Sequence, residues 1–422
     1  MENDFANLEK IISETLQRTI ATQSLDLNLF FGQAENEFTR LGYRQSSRGG
    51  VKKILLLRLD AVGDFILLTP SIRAVRENYP KAHITLVVTK AVYPFAEFCP
   101  YVNEVIVFDT PYASTIYNRD LIQIIKATFI FSANYLLRRH FDLCFAFLGD
   151  PTHLIMSFLS GAKNRVGENN FIGKILMTDP AEIDKNKFVH HCERNLALLM
   201  SYGLKINSSK LELWINDEDY LRAEKILEGF APGRLKIAVG IGANVPIRRY
   251  PVEKYLIALR KIIDKGAALV IFGGASEVDD AKFLEDNLPK EFVKNIVKLK
   301  SDWRTTAGTI SLTDIYIGND TGTQHVAAAL KKPVIVLTRD SKDHQRIAGN
   351  NCEHIAFFPW QTDAIILQPE HSLGDCAKRL EYGCIANKPH CIAQIEPSEI
   401  VAALDKMFTF KSAIKNYFGV IG

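Results

Sequence analysis

Two stretches of this chain share one pattern, in which a short apolar run is followed by a turn and an amphipathic segment. This repetition constrains the fold more than any other feature. The first copy starts at Lys53 with the run Ile54–Leu57. The second starts at Lys236 and ends with the runs Ile315–Ile317 and Val334–Leu337. Short apolar runs that alternate with helices are typical of parallel strands covered on both faces. The pattern therefore predicts an α/β chain with two doubly wound, Rossmann-like domains.

Turn-rich stretches divide the chain further. Residues 1–50 carry apolar residues at helical spacing and end in a Ser- and Gly-rich turn, which predicts a helical extension. Asn207–Ser209 and Ala231–Gly233 punctuate the chain between the two copies. We expect four parts, namely a helical extension over 1–50, Rossmann-like domains over 51–215 and 216–400, and a C-terminal helical segment over 401–422.

Composition and charge exclude several classes of protein. The chain is 47% hydrophobic and 23% charged, as globular proteins are, and its formal charge of +3 gives no reason to expect a nucleic-acid partner. The N-terminus shows no secretory signal, and the longest apolar stretch, Ala127–Leu137, falls short of the roughly 18 residues of a membrane span. We expect a cytoplasmic protein with at most peripheral membrane contact, and a buried helix at that stretch. Neither domain carries Gly-x-Gly-x-x-Gly or a Walker lysine motif, so a nicotinamide or flavin cofactor is poorly supported.

Ligands of parallel α/β sheets bind at the carboxyl ends of the strands, so the residues that follow each predicted strand are the candidates for chemistry. The first predicted strand leads into Arg58, Gly63 and Asp64, with the carboxylate at the start of a helix. Asp64 either caps that helix or acts as a general base that deprotonates an acceptor hydroxyl. Position alone does not separate the two interpretations.

Two strand ends of the second domain have the composition of a nucleotide site. Gly242, Ala243 and Asn244 precede Arg248 near a helix start, where backbone amides and an arginine suit a diphosphate. Further along, Gly273 and Glu277 follow another strand, and a carboxylate there could accept hydrogen bonds from ribose hydroxyls. For the first segment, the alternative is an ordinary turn with solvated arginines. For the second, it is a glutamate that the helix dipole favours.

A third strand end in the second domain runs directly into a helix. Asp320, Thr321 and Gly322 stand at the helix start, and small residues with hydroxyls there suit a phosphate. His325 follows within the first turn, as either a ligand contact or a core histidine with one satisfied nitrogen.

These segments, in this order, resemble glycosyltransferase family nine, the bacterial heptosyltransferases. The family's Gly-Asp with a later proline is similar to Gly63-Asp64 followed by Pro70, and its Asp-Thr-Gly-x-x-His-x-x-Ala-Ala is similar to Asp320–Ala329. The family's basic residue before an aromatic-Pro pair is similar to Arg248 before Tyr250-Pro251, and its Gly-Gly with a following Glu is similar to Gly273–Glu277. The resemblance covers roughly residues 51–401.

The resemblance implies a GT-B fold with two facing Rossmann-like domains, and an inverting transferase that uses a nucleotide-diphosphate sugar, ADP-heptose above all. It implies that Asp64 is the base on the acceptor side, that Arg248 and the amides of Thr321 and Gly322 hold the diphosphate, that Glu277 holds the ribose and that Asp320 holds the sugar. The chain departs from the family's common pattern at Arg248 and Tyr250, where Lys and Trp are usual, and at Thr323-Gln324. These departures lie in the donor motifs, so the resemblance implies the fold more firmly than the sugar.

The C-terminal region carries a group of four cysteines, Cys352, Cys376, Cys384 and Cys391. Four thiolates suit a tetrahedral zinc or iron site, but no Cys-x-x-Cys pair is present, and scattered buried thiols are the alternative. An autotransporter-glycosylating branch of the family is similar in carrying iron on C-terminal cysteines. The chemistry that the resemblance implies needs no cofactor.

The sequence leaves three kinds of protein open: a transferase with a carbohydrate or protein acceptor, in lipopolysaccharide core synthesis or protein glycosylation; a nucleotide-sugar epimerase of GT-B type; and a non-catalytic scaffold that binds sugar nucleotides. Assembly into a homo-oligomer is left open as well.

Overall fold

The structure, a computed structural model, describes residues 50–109, 121–297, 302–343, 353–373 and 390–418. The chain divides into two compact units. The first unit takes in the described residues up to Phe188 together with Cys192–Ser209, and the second takes in Val189–His191 and the described residues from Lys210 onwards. The helical extension expected over residues 1–50 lies outside the described residues apart from Gly50.

The first unit is built on a parallel sheet of six strands in the order β3-β2-β1-β4-β5-β6. The central strand β1 is apolar throughout its inner part, and its Leu56 lies opposite Leu86 on one neighbour and Phe145 on the other. The strands are β1 Lys53–Arg58, β2 His83–Val88, β3 Glu104–Val107, β4 Leu143–Ala146, β5 Asn164–Glu168 and β6 Asp179–Ala181.

The helices of this part of the chain cover the sheet with apolar faces. Phe129 and Phe158, for example, are buried in one cluster with Leu55 and Leu57 of β1. The helices are α1 Val62–Asn78, α2 Tyr93–Ala96, α3 Leu121–Tyr135, α4 Pro151–Leu159, α5 Gly173–Leu176 and α6 His191–Ser201, the last beginning with a residue that belongs to the second unit.

The second unit repeats the same topology. Its parallel sheet has the order β12-β11-β10-β7-β8-β9, so both sheets follow the 3-2-1-4-5-6 strand order of a Rossmann fold. The strands are β7 Lys236–Gly240, β8 Ala268–Phe272, β9 Val293–Asn295, β10 Ile315–Asn319, β11 Val334–Leu337 and β12 Ala364–Leu367. The helices are α7 Asp217–Leu227, α8 Val252–Asp264, α9 Val278–Asn287, α10 Trp303–Ser311, α11 Gly322–Ala329, α12 Glu353–Ala356 and α13 Pro397–Phe418.

The α/β class with two Rossmann-like sheets is confirmed. The helix expected from Asp64 begins two residues earlier, at Val62. The apolar stretch Ala127–Leu137 lies mostly in α3, but it is buried on one face only, since Ile130 and Tyr135 are about half exposed at 53% and 52%. Within the described ranges, no helix combines the length and the apolar character that crossing a membrane requires.

Candidate active site

The carboxyl end of β1, in the first unit, carries a fully buried arginine. Arg58 is 1% exposed, and its Nη2 donates to Asp64 Oδ1 and lies beside Asp60 Oδ2, at 3.0 Å in each case. Nη1 donates to the Phe147 carbonyl at 3.2 Å and to Asn195 Oδ1 at 3.4 Å. Arg58 is thus held among protein acceptors, and it fixes the position of the Asp64 carboxylate.

Asp64 has the properties of a general base. It is the third residue of α1, which begins after Ala61, and the Ala61 amide bonds to its carboxylate. Gly63 beside it is buried, whereas the Asp64 side chain keeps 22% of its surface exposed. Burial raises the pKa of Asp64, Arg58 opposes this effect, and Asp60 adds to it. A carboxylate with a raised pKa is the stronger base, so Asp64 accepts an amide at the start of its helix and is also suited to accept a proton.

A histidine that the sequence analysis did not single out supports the same turn. His153 on α4 is wholly buried, and its Nε2 accepts the Leu59 backbone N–H at 3.0 Å. Its Nδ1 contacts the carboxylate of Asp150, which also caps α4 by accepting the Thr152 amide at 2.8 Å. The Asp-Pro pair at the start of α4 is a recognisable helix-start signal, but nothing local to it points to Asp64.

In the second unit, Glu277 lies at the centre of the loop that follows β8. It is 2% exposed, and its carboxylate accepts the Gly274 amide at 2.7 Å and the Ser276 hydroxyl at 2.6 Å. Arg249 Nη2 lies 2.7 Å from the same carboxylate. Because a carboxylate has about four acceptor positions, one position is left for a ligand hydroxyl.

Glycines allow the β7 and β8 loops to approach this carboxylate. A Cβ on Gly242 would lie 2.8 Å from Glu277 Oε2, and one on Gly273 would lie 3.1 Å from the Glu277 Cβ. Gly242, which the sequence assigned to a diphosphate site, and Gly273, which it assigned to a ribose site, therefore also make room for Glu277.

Of the two adjacent arginines, Arg249 joins the loops. Its Nε donates to the carbonyl of the buried Ala243 at 3.0 Å, and its Nη2 reaches Ser276. Arg248, which the sequence analysis chose, lies half-buried at the end of a short 3₁₀ turn, and Asn244 is exposed. The structure thus places Arg248 near the loop, and Arg249 joins the loops.

Asn319, at the end of β10, was also missed by the sequence analysis. It is fully buried, and its Nδ2 donates to the Ile241 carbonyl at 2.8 Å. Its Oδ1 accepts the Tyr250 amide at 3.1 Å and the Tyr255 hydroxyl at 3.2 Å. Asn319 therefore ties the β7 loop and the start of α8 to the strand that carries Asp320.

The N-terminus of α11 presents a row of hydroxyl groups. Thr321 Oγ1 and Thr323 Oγ1 lie 3.0 Å apart, and Thr323 Oγ1 lies 2.6 Å from the Tyr316 hydroxyl. Gly322 begins the helix between the two threonines. Hydroxyls and backbone amides at a helix N-terminus suit an oxyanion such as a phosphate.

The two residues that follow in α11 are buried. Gln324 Nε2 donates to Asp320 Oδ1 and, at 3.2 Å, to the Phe357 carbonyl, so Gln324 fixes the carboxylate that the resemblance assigns to the sugar. Burial and nearby His190 lower the pKa of His325 to about 3. His325 is therefore neutral near pH 7, and its Nδ1 has no hydrogen-bond partner among the residues that the structure describes.

The cysteine prediction lies largely outside the described residues. Cys352, Cys376 and Cys384 belong to the undescribed ranges, and Cys391 is buried with its Sγ 3.5 Å from the Leu373 amide. No group of three or more His, Cys, Asp or Glu side chains that could hold a metal occurs in the described part of the chain. The zinc or iron site stays a prediction.

The family model described as glycosyltransferase family 9 (heptosyltransferase) matches residues 136–385, more than half of the chain. The chain belongs to glycosyltransferase family 9. It is 23% identical over 302 residues to lipopolysaccharide heptosyltransferase 2 of Escherichia coli (strain K12), covering 68% of this chain and 82% of that relative. A solved family 9 glycosyl transferase from Veillonella parvula superposes with a TM-score of 0.70 at 20% identity, covering 86% of this chain and 98% of that one. ADP-heptose lps heptosyltransferase II of E. coli superposes with a TM-score of 0.63 at 19% identity, covering 85% and 99%.

Membership of family 9 makes the chain a glycosyltransferase, and the solved relatives share its fold. Each unit brings its predicted residues together at the carboxyl ends of its own strands. Asp64, Gly63 and Arg58 meet after β1 of the first unit. The predicted donor residues of this family 9 enzyme line the ends of β7, β8 and β10 in the second unit.

Proposed function

We propose that this enzyme is an inverting heptosyltransferase that moves the heptose of ADP-heptose onto a hydroxyl group of the lipopolysaccharide core. The names of two relatives support the sugar and the acceptor, since one is a lipopolysaccharide heptosyltransferase and another an ADP-heptose heptosyltransferase. A protein acceptor, a cytoplasmic location with at most peripheral membrane contact, and assembly into a homo-oligomer stay predictions.

The observation that carries the proposal is the environment of the Asp64 carboxylate. The buried Arg58 donates to it, with 3.0 Å between Nη2 and Oδ1, and burial raises its pKa. In the proposed reaction, Asp64 accepts the proton of the acceptor hydroxyl while that oxygen attacks the anomeric carbon of the heptose. The bond from this carbon to the diphosphate oxygen breaks, and ADP leaves from the opposite face. The configuration at the anomeric carbon is therefore inverted.

The second unit supplies groups suited to the donor. The N-terminus of α11, with the hydroxyls of Thr321 and Thr323, suits the diphosphate, and charge that develops on the leaving group would be stabilised there. Arg248 adds a positive charge in the neighbouring loop. Glu277 keeps one acceptor position for a ribose hydroxyl, and Asp320 is assigned to the sugar.

A transfer assay tests the proposal. Purified enzyme is incubated with ADP-heptose and a heptose-deficient lipopolysaccharide core, and ADP release is followed with and without the acceptor. We expect acceptor-dependent release, and a loss of kcat of about 10²–10⁴-fold in Asp64→Asn with little change in donor KM. Asp217→Asn, which removes an exposed carboxylate from the first turn of α7, is the matched control and should retain full activity. Wild-type kcat in Asp64→Asn, or turnover without an acceptor, would contradict the proposal.

A further inference from the structure

We propose that His153 is a positioning residue for Asp64 and that it acts by holding the turn between β1 and α1 in place. The proposal rests on the proposed function, in which Asp64 is the base. It assigns a role to a side chain that lies 89 positions away from Asp64 in the chain.

The hydrogen bond from the Leu59 amide indicates which tautomer of His153 is present. Since Nε2 accepts the Leu59 N–H at 3.0 Å, Nε2 carries the lone pair, and the ring proton sits on Nδ1 facing the Asp150 carboxylate. Burial lowers the pKa of His153 and the Asp150 carboxylate outweighs burial and raises it, and the neutral ring with this tautomer is the form that accepts the Leu59 N–H. An apolar side chain could fill the same buried space, but it would leave the Leu59 amide without this acceptor.

The carboxylate that faces His153 is itself hydrogen-bonded to backbone amides. Asp150 is the N-cap of α4, and it accepts the amides of Thr152 at 2.8 Å and of His153 at 3.4 Å. The imidazole therefore connects the first turn of α4 to the backbone of Leu59, between Arg58 and Asp60. Asp60 Oδ1 lies 3.5 Å from Nε2, and the Asp60 carbonyl accepts the Thr89 hydroxyl at 2.9 Å.

The position of this turn decides how Arg58 divides its hydrogen bonds. One guanidinium nitrogen, Nη2, serves both Asp60 Oδ2 and Asp64 Oδ1, at 3.0 Å each. If the Leu59 amide loses its acceptor, the turn relaxes and Asp60 is free to take a larger share of Nη2. Asp64 then keeps the raising effects of burial and of Asp60 but loses part of the opposing effect of Arg58. The charged and titratable groups that surround His153 are Asp150 at the N-cap of α4, Arg58 at the end of β1, Asp60 on the turn and, through Arg58, Asp64 on α1.

The test compares variants of His153 by pH profile. His153→Leu removes both ring contacts. His153→Gln offers a carbonyl oxygen to the Leu59 amide, whereas the shorter side chain of His153→Asn can contact Asp150 but not that amide. We expect His153→Leu to lower kcat by about tenfold to a hundredfold, with donor KM within about twofold of wild type, and to move the acidic limb of the kcat profile to higher pH. His153→Gln should restore most of kcat and return the acidic limb to near its wild-type pH, and His153→Asn should restore neither.

Ile155→Ala is the matched control, because it truncates a buried side chain of the same helix that is outside the hydrogen-bond network. It should lower stability and leave the acidic limb where it is. The proposal is wrong if Ile155→Ala moves the limb as His153→Leu does, or if His153→Leu leaves it unmoved. If His153→Leu does not fold, His153→Gln is compared with His153→Asn, and equal pH profiles of kcat for these two variants overturn the proposal.

A second readout needs no substrate. Carbon-13 NMR titration of the aspartate carboxyl groups, with the Asp64 signal assigned from Asp64→Asn, reports the pKa of Asp64 directly. We expect this pKa to be higher in His153→Leu and His153→Asn than in the wild-type and His153→Gln proteins. An Asp64 pKa that is the same in all four proteins contradicts the proposal. Because heptose transfer plays no part in this titration, failure of the transfer assay overturns the proposed function and leaves the titration result standing.

Discussion

The two units have one strand order, yet the ends of their corresponding strands carry opposite chemistry. The first strand of the first unit ends in a buried arginine, Arg58, surrounded by carboxylates. The first strand of the second unit ends in Gly240, and the groups at this end of the sheet include amides, hydroxyls, the Asp320 carboxylate and the pair of Arg249 with Glu277. One topology thus presents a cation shared by several carboxylates in one unit, and the largely buried pair of Arg249 with Glu277 among amides and hydroxyls in the other.

On the proposed function, the difference follows from what each half of the reaction demands. Proton transfer needs a base whose pKa is adjusted, and buried charges achieve this at a cost in stability. A dinegative diphosphate is bound well by backbone amides, hydroxyls and a helix N-terminus, which need no buried charge of their own. We therefore expect the first unit to respond most to changes of charge and the second to changes of shape.

The largest effect should come from Arg58→Met. This change leaves Asp60, Asp64 and Asp150 without the cation between them, and we expect a loss of about 3–5 kcal/mol in the free energy of unfolding. Arg249→Met, at a pair whose arginine is 20% exposed, should cost about 1–2 kcal/mol. Urea denaturation followed by fluorescence measures both, and Arg58→Lys, which keeps the charge, should fall between wild type and Arg58→Met. Equal losses in the free energy of unfolding for the two Met variants would contradict the proposed difference between the units.

The next effect is steric and belongs to the second unit. A Cβ on Gly240 would lie 2.0 Å from the Tyr316 hydroxyl oxygen, so Gly240→Ala should lower the free energy of unfolding by about 1–3 kcal/mol. Tyr316→Leu removes the obstacle, and the double variant should recover part of the loss. A double-mutant cycle measures this coupling, and strictly additive losses would show that Gly240 is not needed for the close approach.

The third effect depends on pH. Burial raises the pKa of Asp64 above its unfolded value, so ionised Asp64 destabilises the fold, and this cost appears as pH rises through the two pKa values. Asp64→Asn should therefore have the same Tm as wild type near pH 3 and a higher Tm near pH 8.

Asp142 is the matched control for that titration. Burial opposes its ionisation, but hydrogen bonds from Lys163 and from the amides of Lys52 and Lys53 outweigh burial and lower its pKa. Its contribution to stability is present above the unfolded pKa and is lost as pH falls through the folded pKa. Asp142→Asn should thus lower Tm near pH 8 and not near pH 2. A Tm difference of the same sign for both variants at pH 8 would contradict the assignment of Asp64 as the strained carboxyl.

The smallest effect should come from Tyr316→Phe. It removes the hydroxyl that lies 2.6 Å from Thr323 Oγ1 and should cost about 0.5–1.5 kcal/mol in the free energy of unfolding. ADP affinity should fall only slightly, because the Thr323 hydroxyl itself remains. A loss of ADP affinity as large as that of Thr323→Val would mean that Tyr316 holds the ligand-binding conformation of the loop.

The sequence was sufficient to predict the strands and the motifs at their ends, because both are patterns of neighbouring residues. Apolar runs with turns after them predict buried parallel strands, and Gly63-Asp64 and Asp320–Gly322 stand directly after such runs. The partners of these residues are not local. His153 reaches Leu59 across 94 positions, and Asn319 reaches Ile241 across 78.

The adjacent arginines show a second limit. Arg248 and Arg249 are equivalent in charge, and Arg249, directly after the 3₁₀ turn at Pro246–Arg248, lies against Glu277. A turn of three residues is set by the packing of its surroundings, so the sequence analysis could place an arginine at the donor site without choosing the one that joins the loops.

The account's central claim is that the donor binds to the second unit and that Asp64 of the first unit moves the proton. Calorimetric titration of ADP-heptose into Asp64→Asn in the presence of the acceptor tests this claim most directly. We predict that the variant binds ADP-heptose with the Kd at which the wild-type protein binds it without acceptor, and that it forms ADP about 10²–10⁴-fold more slowly than wild type. Failure of Asp64→Asn to bind the donor, or transfer of the sugar at the wild-type rate, would contradict the claim.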